Sequence, residues 1–345
     1  SELRASLEML RELGDLLREG DWQVTATLNS RTWDCPDCPA QLLDLQPGHV
    51  PADAPLWGAA VDIGTTTVSV WLVDLLSGNV RAQVAEYNQQ ISRGEDVISR
   101  IIVAGKEGGA QVMQDLVLGS INELLERACK RVNAQMSDVV KVTIAGNSTM
   151  MHLLLGIPAN SIRLTPFVTA INHIPPLTAL EVGLEVHPKA VVDCLPGVAS
   201  YVGADITAGT LSSGMTDSEQ LTLFLDVGTN GETVLGSQDF LVTCACSAGP
   251  AFEGAGVLHG MRATSGAIED VWVNGETYEP TFGVIGNRKP RGLCGSGLIS
   301  LLSEMFLTGV VDKGGKIDTT LDTGRVRNGD HGSEYVIAWA DETST

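Results

Sequence analysis

VDIGTTT at 61–67 and LDVGTNGE at 225–232 share one pattern: an apolar residue, Asp, an apolar residue, Gly, Thr. Each follows a β-rich run and opens a hairpin. Around the first copy, LWGAAVDIGTTTVSVWLVDLLSGNVRAQVAEYN (56–88) reads as three strands near 57–62, 67–74 and 79–87, joined by GTTT and LSGN. Both joints carry good turn chemistry. Around the second, LTLFLDVGTNGETVLGSQDFLVTCACS (221–247) repeats strand, Gly-Thr turn, strand, turn, strand. Two copies so far apart indicate duplicated domains and not a solenoid.

Between the copies the pattern alternates. EDVISRIIVAG (95–105) and QVMQDLVLGSINELLERACKRV (111–132) read as helical. KVTIAG (141–146) reads as a strand running into Asn147 and Ser148, then into the helix TMMHLLLG. AVVDCL (190–195) is a further strand, and YVGADITAGTLSSGM (201–215) a further helix. Strands mixed with helices in each half predict an α/β fold with two lobes around a cleft. Ahead of them, Leu3, Leu7, Leu10, Leu13 and Leu17 recur at helical spacing, followed by a Pro- and Asp-rich stretch. The expected organisation is therefore a helix and linker over 1–55, a first lobe over 56–216 and a second over 217–345.

A Gly-Thr turn between strands exposes successive backbone N–H groups, a concavity suited to phosphate oxygens. Gly64 and Gly228 let the backbone approach closely. Thr65, Thr66, Thr67 and Thr229 add hydroxyls, and Asn230 an amide donor. Asp62 and Asp226, just before the turns, are candidates to hold Mg²⁺ or its waters, since that ion takes few carboxylates and keeps several waters. Two such loops facing one another would clamp a polyphosphate. An ordinary hairpin turn is the alternative for either loop alone. The SAGPAFEG turn (247–254), with Gly249, is a candidate to line the same cleft. GLCGSG (292–297) precedes the helical LISLLSEMFLTG. Its Gly295, Ser296 and Gly297 could carry a nucleoside or phosphate on exposed N–H groups, or Ser296 could be a plain N-cap. No Walker A loop is present, and GLCGSG lacks the glycine spacing of a dinucleotide fingerprint.

Composition narrows the partners. Forty-two acidic against 22 basic residues give a formal net charge of −20, which argues against nucleic acid and an anionic membrane surface. No apolar run is long enough for a transmembrane helix, and the first 20 residues lack a signal-peptide core. The 7 cysteines are an odd number spread over a long chain, not a disulfide framework. A cytoplasmic protein with reduced thiols is expected. Cys35 and Cys38 form a C-x2-C half-site without a second pair nearby, so a free thiol pair is expected. Cys244 and Cys246 alternate on one strand and could hold a cluster at a dimer seam or be small buried hydrophobes. His152 and His259, in apolar or glycine-rich contexts, read as structural.

VDIGTTT, NQQISRGEDVISRI (88–101), GNSTMMHLLLG (146–156), DVGTNGE, AGPAFEGA and PRGLCGSGLI (290–299) occur in an order that resembles the actin, sugar kinase and heat-shock chaperone ATPase (ASKHA) superfamily, with its ribonuclease-H-like lobes. More narrowly, the set is similar to the ATP-dependent reductive activators of corrinoid proteins, over about residues 56–312. The resemblance implies a plan of N-terminal [2Fe–2S] ferredoxin domain, linker and ATPase region. It implies ATP and Mg²⁺ as ligands and a corrinoid protein as partner, reduced from Co(II) to Co(I) for methyl transfer with electrons from the ferredoxin domain. It places Asp62, Gly64, Thr65 and Thr66 in the first phosphate loop, Asp226, Gly228, Thr229 and Asn230 in the second, and Gly295, Ser296 and Gly297 on the nucleoside side. Glu232 is a candidate to orient the attacking water, or a solvated glutamate at a strand start. No ferredoxin cysteine signature is present, and no late AGGFG-type adenosine motif follows, so the sequence reads as an ATPase region lacking its iron–sulfur domain and C-terminally incomplete.

Other readings stay open. One is a small-molecule kinase of the same superfamily, with Asp205 as its catalytic aspartate. Others are an activator of the 2-hydroxyacyl-CoA dehydratase type, homodimeric around a cluster, and a nucleotide-dependent docking module without turnover.

Overall fold

Strand alternation between 57 and 87 places Trp57, Ala59, Val61 and Ile63, then Val68, Val70 and Leu72, then Ala82 and Val84 on one face of a sheet, and all are buried. The structure is a computed structural model describing residues 3–29, 40–228, 230–246, 257–329 and 332–344. Its contacts divide the chain into two units. The first comprises residues up to Phe224 with Val234–Thr243, and the second Leu225–Thr233 with the residues from Cys244 onward.

The first unit opens with β1 (Leu3–Arg4), α1 (Leu7–Glu19), β2 (Val24–Asn29) and β3 (Ala40–Pro47), the strands pairing in the order β1-β3-β2. The helix expected in 1–55 is α1, and the rest of that segment adds a small sheet that the sequence reading did not name. VTATLN and AQLLDLQP hold β-formers that the nearby Pro- and Asp-rich stretch obscured. Ser6 caps α1, accepting from the Met9 N–H at 3.3 Å. Leu43 of β3 is buried with Val140 and Val191, which seats this module on the main sheet.

That sheet follows with β4 (Trp57–Ile63), β5 (Thr67–Asp74) and β6 (Asn79–Tyr87), at the positions the sequence predicts. The helical stretch divides into α2 (Val97–Ala104), boxed at its start by Asp96 and Ser99, and α3 (Gly109–Val132). Met113, Val117, Ile121, Leu124, Leu125 and Ala128 repeat at helical spacing along α3 and bury against β4–β6. Lys130 and Arg131 stand in its last turn, where cations offset the helix dipole, and Asn133 closes it at φ 58°.

Then come β7 (Val139–Gly146), α4 (Ser148–Leu154), α5 (Asn160–Arg163), β8 (Leu177–Thr178), α6 (Ala179–Val182), β9 (Val191–Cys194) and α7 (Ala204–Ser212). The sheet runs β6-β5-β4-β7-β9-β8. β5 is antiparallel to β4, while β7 is parallel to it through the α2–α3 crossover. The register ends with Ile63 opposite Gly146. The β4–β5 turn and the start of α4 therefore leave the sheet side by side, at the carboxyl ends of adjacent parallel strands, where α/β sheets bind ligands.

β10 (Thr222–Val227), β11 (Gly231–Ser237) and β12 (Phe240–Cys246) form a three-stranded sheet in that order, the same up-and-down meander as β4-β5-β6. The second unit adds β13 (Ala267–Val273), β14 (Pro280–Val284) and β15 (Gly292–Leu293), ordered β14-β13-β15. α8 (Gly295–Leu307) and the hairpin of β16 (Val326–Gly329) and β17 (Gly332–Tyr335) follow. Its core is built on Ile268, Val271, Val273, Leu301, Met305 and Val310.

Candidate phosphate-binding hairpins

Asp62 lies half-buried on β4, paired with Ser69 of β5 and Ala145 of β7. The chain turns at Gly64, whose N–H donates to the Thr67 carbonyl at 2.9 Å. A Cβ on Gly64 would stand 2.6 Å from that same oxygen, so only glycine closes this turn. Thr65 is buried, Thr66 half-buried and Thr67 exposed.

Two asparagines that sequence reasoning left without a role hold this turn. Asn88 donates from Nδ2 to the Gly64 carbonyl at 3.0 Å, and its backbone N–H donates to the Thr66 carbonyl at 2.9 Å. Asn147 donates from Nδ2 to Thr65 Oγ1 at 3.0 Å. Its Oδ1 accepts from the Met150 N–H at 3.0 Å, capping α4. One side chain thus ties the Gly-Thr turn to a helix start. The signal was present in the sequence: an Asn directly after a strand and before a helix is an N-cap. Its second partner depends on β7 lying beside β4.

Gly203 and α7 complete the group. A Cβ on Gly203 would lie 2.5 Å from Asn147 Cα and 2.7 Å from Ser148 N. Asp205 follows in the first turn of α7, its Oδ1 accepting from the Ile206 N–H at 2.9 Å. The first unit thus gathers Asp62, Gly64, Thr65, Thr66, Thr67 and the helix that carries Asp205 at one end of its sheet.

In the second unit, Asp226 is the next-to-last residue of β10 and Glu232 the second of β11, both half-buried. The Gly228 N–H donates to the Asn230 carbonyl at 2.8 Å, closing the turn. Among the described residues, only Asn230 O, at 4.0 Å, would meet a Cβ on Gly228. The two Gly-Thr turns share a sequence but not a steric demand. Thr229 and Gly249, with the SAGPAFEG turn, lie outside the described residues, as do Cys35 and Cys38.

The GLCGSG expectation changes in detail. α8 starts at Gly295, so Ser296 is inside the helix and the N-cap is Cys294. The buried Cys294 thiol donates to the Ile268 carbonyl at 3.3 Å and lies 3.2 Å from Ser296 Oγ. A Cβ on Gly297 would reach 2.1 Å from Ile268 O, so this glycine lets α8 press onto β13. Hairpin 226–232 belongs to the β10–β12 sheet and Gly295–Gly297 to the helix on β13.

Among the described residues no three His, Cys, Asp or Glu side chains are placed to hold a metal ion. Mg²⁺ needs no such cage, since one carboxylate with water and phosphate oxygens suffices, and the hard oxygens of Asp62 at the mouth of the turn fit that chemistry. Cys244 and Cys246 are exposed on β12, against the reading of small buried hydrophobes, and Cys246 donates to the Gly231 carbonyl at 3.1 Å. His152 is structural as expected. It is buried, its Nδ1 2.6 Å from the Ser148 carbonyl, and its Nε2 accepts from the Ala170 N–H at 3.1 Å. That pattern fixes the neutral ring, and burial lowers its pKa. Burial pushes the Cys129 and Cys194 thiols up to about 11 and about 12, so both stay protonated. No helix among the described residues is long and apolar enough to cross a membrane.

A glycine-threonine hairpin beside parallel strands, in a sheet ordered β6-β5-β4-β7-β9, defines the actin-like α/β class. Family models narrow it. The RACo linker region matches residues 1–51, the RACo middle region 57–218, and the C-terminal domain of RACo, the ASKHA domain, 220–345. The chain belongs to the RACo family. It is 36% identical over 277 residues to corrinoid activation enzyme RamQ of Eubacterium limosum, covering 80% of this chain and 46% of that one. It is 24% identical over 289 residues to the [Co(II) methylated amine-specific corrinoid protein] reductase of Methanosarcina barkeri, covering 75% and 52%. A solved reductive activator for corrinoid, iron–sulfur protein matches with a TM-score of 0.85 at 44% identity, over 99% of this chain and 54% of that one. The chain thus spans about half the length of each.

Proposed function

We propose that this chain supplies the ATPase region of a reductive activator that returns a corrinoid protein from Co(II) to Co(I), in the cytoplasm. The observation that carries the reading is the Gly64–Thr67 turn, closed by a glycine whose Cβ would crowd the Thr67 carbonyl and fastened by Asn88 and Asn147. Family membership supplies the partner class. Residues 56–216 act as one lobe and 217–345 as the other. Asp62, Gly64, Thr65, Thr66 and Thr67 form one phosphate-binding turn, and Asp226, Gly228, Thr229 and Asn230 form another. Gly249, Gly295, Ser296 and Gly297 serve the nucleoside side. Asp62 and Asp226 hold Mg²⁺ through its waters, the ion neutralising phosphate charge. Glu232 orients the attacking water, and ATP with water gives ADP and phosphate.

One electron from a low-potential donor, passed through a [2Fe–2S] ferredoxin domain of the whole protein, converts Co(II) to Co(I). ATP assists only if the nucleotide-bound activator prefers the Co(I) partner, because a ligand shifts an equilibrium by its differential affinity alone. A preference of about a thousandfold, about 4 kcal/mol, moves a one-electron potential by roughly 180 mV. The test is Co(I) formation by absorbance, with reductant, corrinoid protein and Mg-ATP, in an activator carrying Asp62→Ala or Asp226→Ala. Loss of ATP stimulation is expected in both; full stimulation in both would refute the assignment.

The kinase reading remains the second. Asp205 sits in the first turn of the helix packed beside Asn147, close to the same turn. Substrate-dependent ADP release across sugars and small acids, absent with corrinoid protein, would favour it.

A further inference from the structure

The segment NQQISRGEDVISR (88–100) has no part in the chemistry above, yet it encloses the most buried charge of the first unit. Arg100 is fully buried. Its Nη2 donates to the Thr65 carbonyl at 2.5 Å, its Nε to the Gly94 carbonyl at 2.9 Å, and its Nη1 to Gln90 Oε1 at 3.3 Å. Gln90 and Asn88 are fully buried too. Gln90 is itself anchored, donating from Nε2 to the Met113 carbonyl of α3 at 2.8 Å.

Three successive carbonyls of the turn are therefore held from one side: Gly64 by Asn88 Nδ2, Thr65 by Arg100 and Thr66 by the Asn88 N–H. In a trans peptide the carbonyl and the following N–H point in opposite directions. Holding these carbonyls turns the N–H groups of Thr65, Thr66 and Thr67 the other way as a set. Burying a guanidinium is costly, and an apolar side chain of similar length would fill the space more cheaply. What an apolar side chain lacks is the donor that fixes the Thr65 carbonyl.

We propose that Arg100, with Asn88, is a positioning residue that presets the 64–67 turn as a phosphate cradle before any ligand arrives. This rests on the nucleotide reading for the identity of the anion, but the preset geometry is a property of the ligand-free chain.

The test uses this chain with Arg100→Met and Arg100→Lys. Hydrogen–deuterium exchange is read at 64–67 and at β7 without ligand, and the Mg-ATP dissociation constant by calorimetry. Arg100→Met should speed exchange at 64–67 about tenfold, leave residues 142–144 of β7 unchanged, and weaken Mg-ATP about tenfold, as expected for losing a charged hydrogen bond. Arg100→Lys should recover most of both, because an ammonium can still donate to Thr65. Unchanged exchange at 64–67 in Arg100→Met, or a lysine variant no better than methionine, overturns the proposal. So does loosening that spreads equally to β7, the mark of a merely structural arginine. If Arg100→Met does not fold, Asn88→Asp takes its place with the same readouts, since it removes the donor to Gly64 at nearly constant shape. If the unmodified chain shows no Mg-ATP binding while the exchange contrast persists, the nucleotide reading falls and the positioning stands.

Discussion

Gly203 approaches Asn147 so closely that a Cβ on the glycine would lie 2.5 Å from the asparagine Cα. Asn147 in turn donates to Thr65 Oγ1. The start of α7 therefore bears on the Gly-Thr turn through one intervening residue. Gly203→Ala should push Asn147 away, costing about 1–3 kcal/mol as other overpacked sites do. Urea unfolding gives the stability, and Mg-ATP titration the site. A variant as stable as the parent, with unaltered binding, would show that the neighbouring backbone yields freely.

The two Gly-Thr turns should respond differently to one methyl group. Gly64→Ala places a Cβ 2.6 Å from the Thr67 carbonyl oxygen, whereas among the described residues Gly228→Ala meets only Asn230 O at 4.0 Å. Gly64→Ala is expected to lower stability by about 1–3 kcal/mol and Gly228→Ala by less than about 0.5 kcal/mol. Thermal melts of the two variants check this. Equal losses would mean that the shared motif imposes a shared steric demand.

Much of this architecture is legible in the sequence, for identifiable reasons. Alternation in β4, β5 and β6 is clean because one face is buried under α3 and a one-residue slip would expose Val61, Val70 and Val84. The Asp-x-Gly-Thr pair is legible because the pattern recurs, and at Gly64 the turn also excludes a Cβ locally. Arg100 and Asn88 are not, because the turn carbonyls they hold, Thr65 and Gly64, lie more than 20 residues away, and a carbonyl leaves no mark on residue identity. The close packing at Gly297 is hidden for the same reason: a Cβ there would meet the Ile268 carbonyl oxygen at 2.1 Å. β2 and β3 were hidden because each strand's pairing partner lies across an intervening Pro- and Asp-rich stretch.

Thiol labelling should sort the cysteines by environment. Cys129 and Cys194, raised to about 11 and about 12 by burial, are almost wholly protonated at pH 8. Cys244 and Cys246 are exposed on β12. Iodoacetamide treatment of the native chain at pH 8, mapped by mass spectrometry, should modify Cys244 and Cys246 and spare Cys129 and Cys194 until denaturant is added. Labelling of Cys194 at the rate of Cys244 would contradict the buried core around β9.

His152 sets the direction of a pH dependence. The folded ring is neutral, with Nδ1 near the Ser148 carbonyl and Nε2 accepting from the Ala170 N–H. Protonation would bring a second N–H against that donor, and burial independently lowers the pKa below its ordinary value of 6.5. In the unfolded chain the ring takes its proton at the ordinary pKa, so below it the unfolded state binds more protons. Stability from this group is complete above pH 6.5 and falls as pH drops through the window below it, by at most about 1.4 kcal/mol per pH unit. His152→Gln keeps a donor and an acceptor but cannot charge. It should be less stable at pH 8, where the native hydrogen bonds are intact, and should lose less on going to pH 5.5. Urea midpoints at both pH values measure the two slopes; identical slopes would remove His152 from the acid response of the first unit.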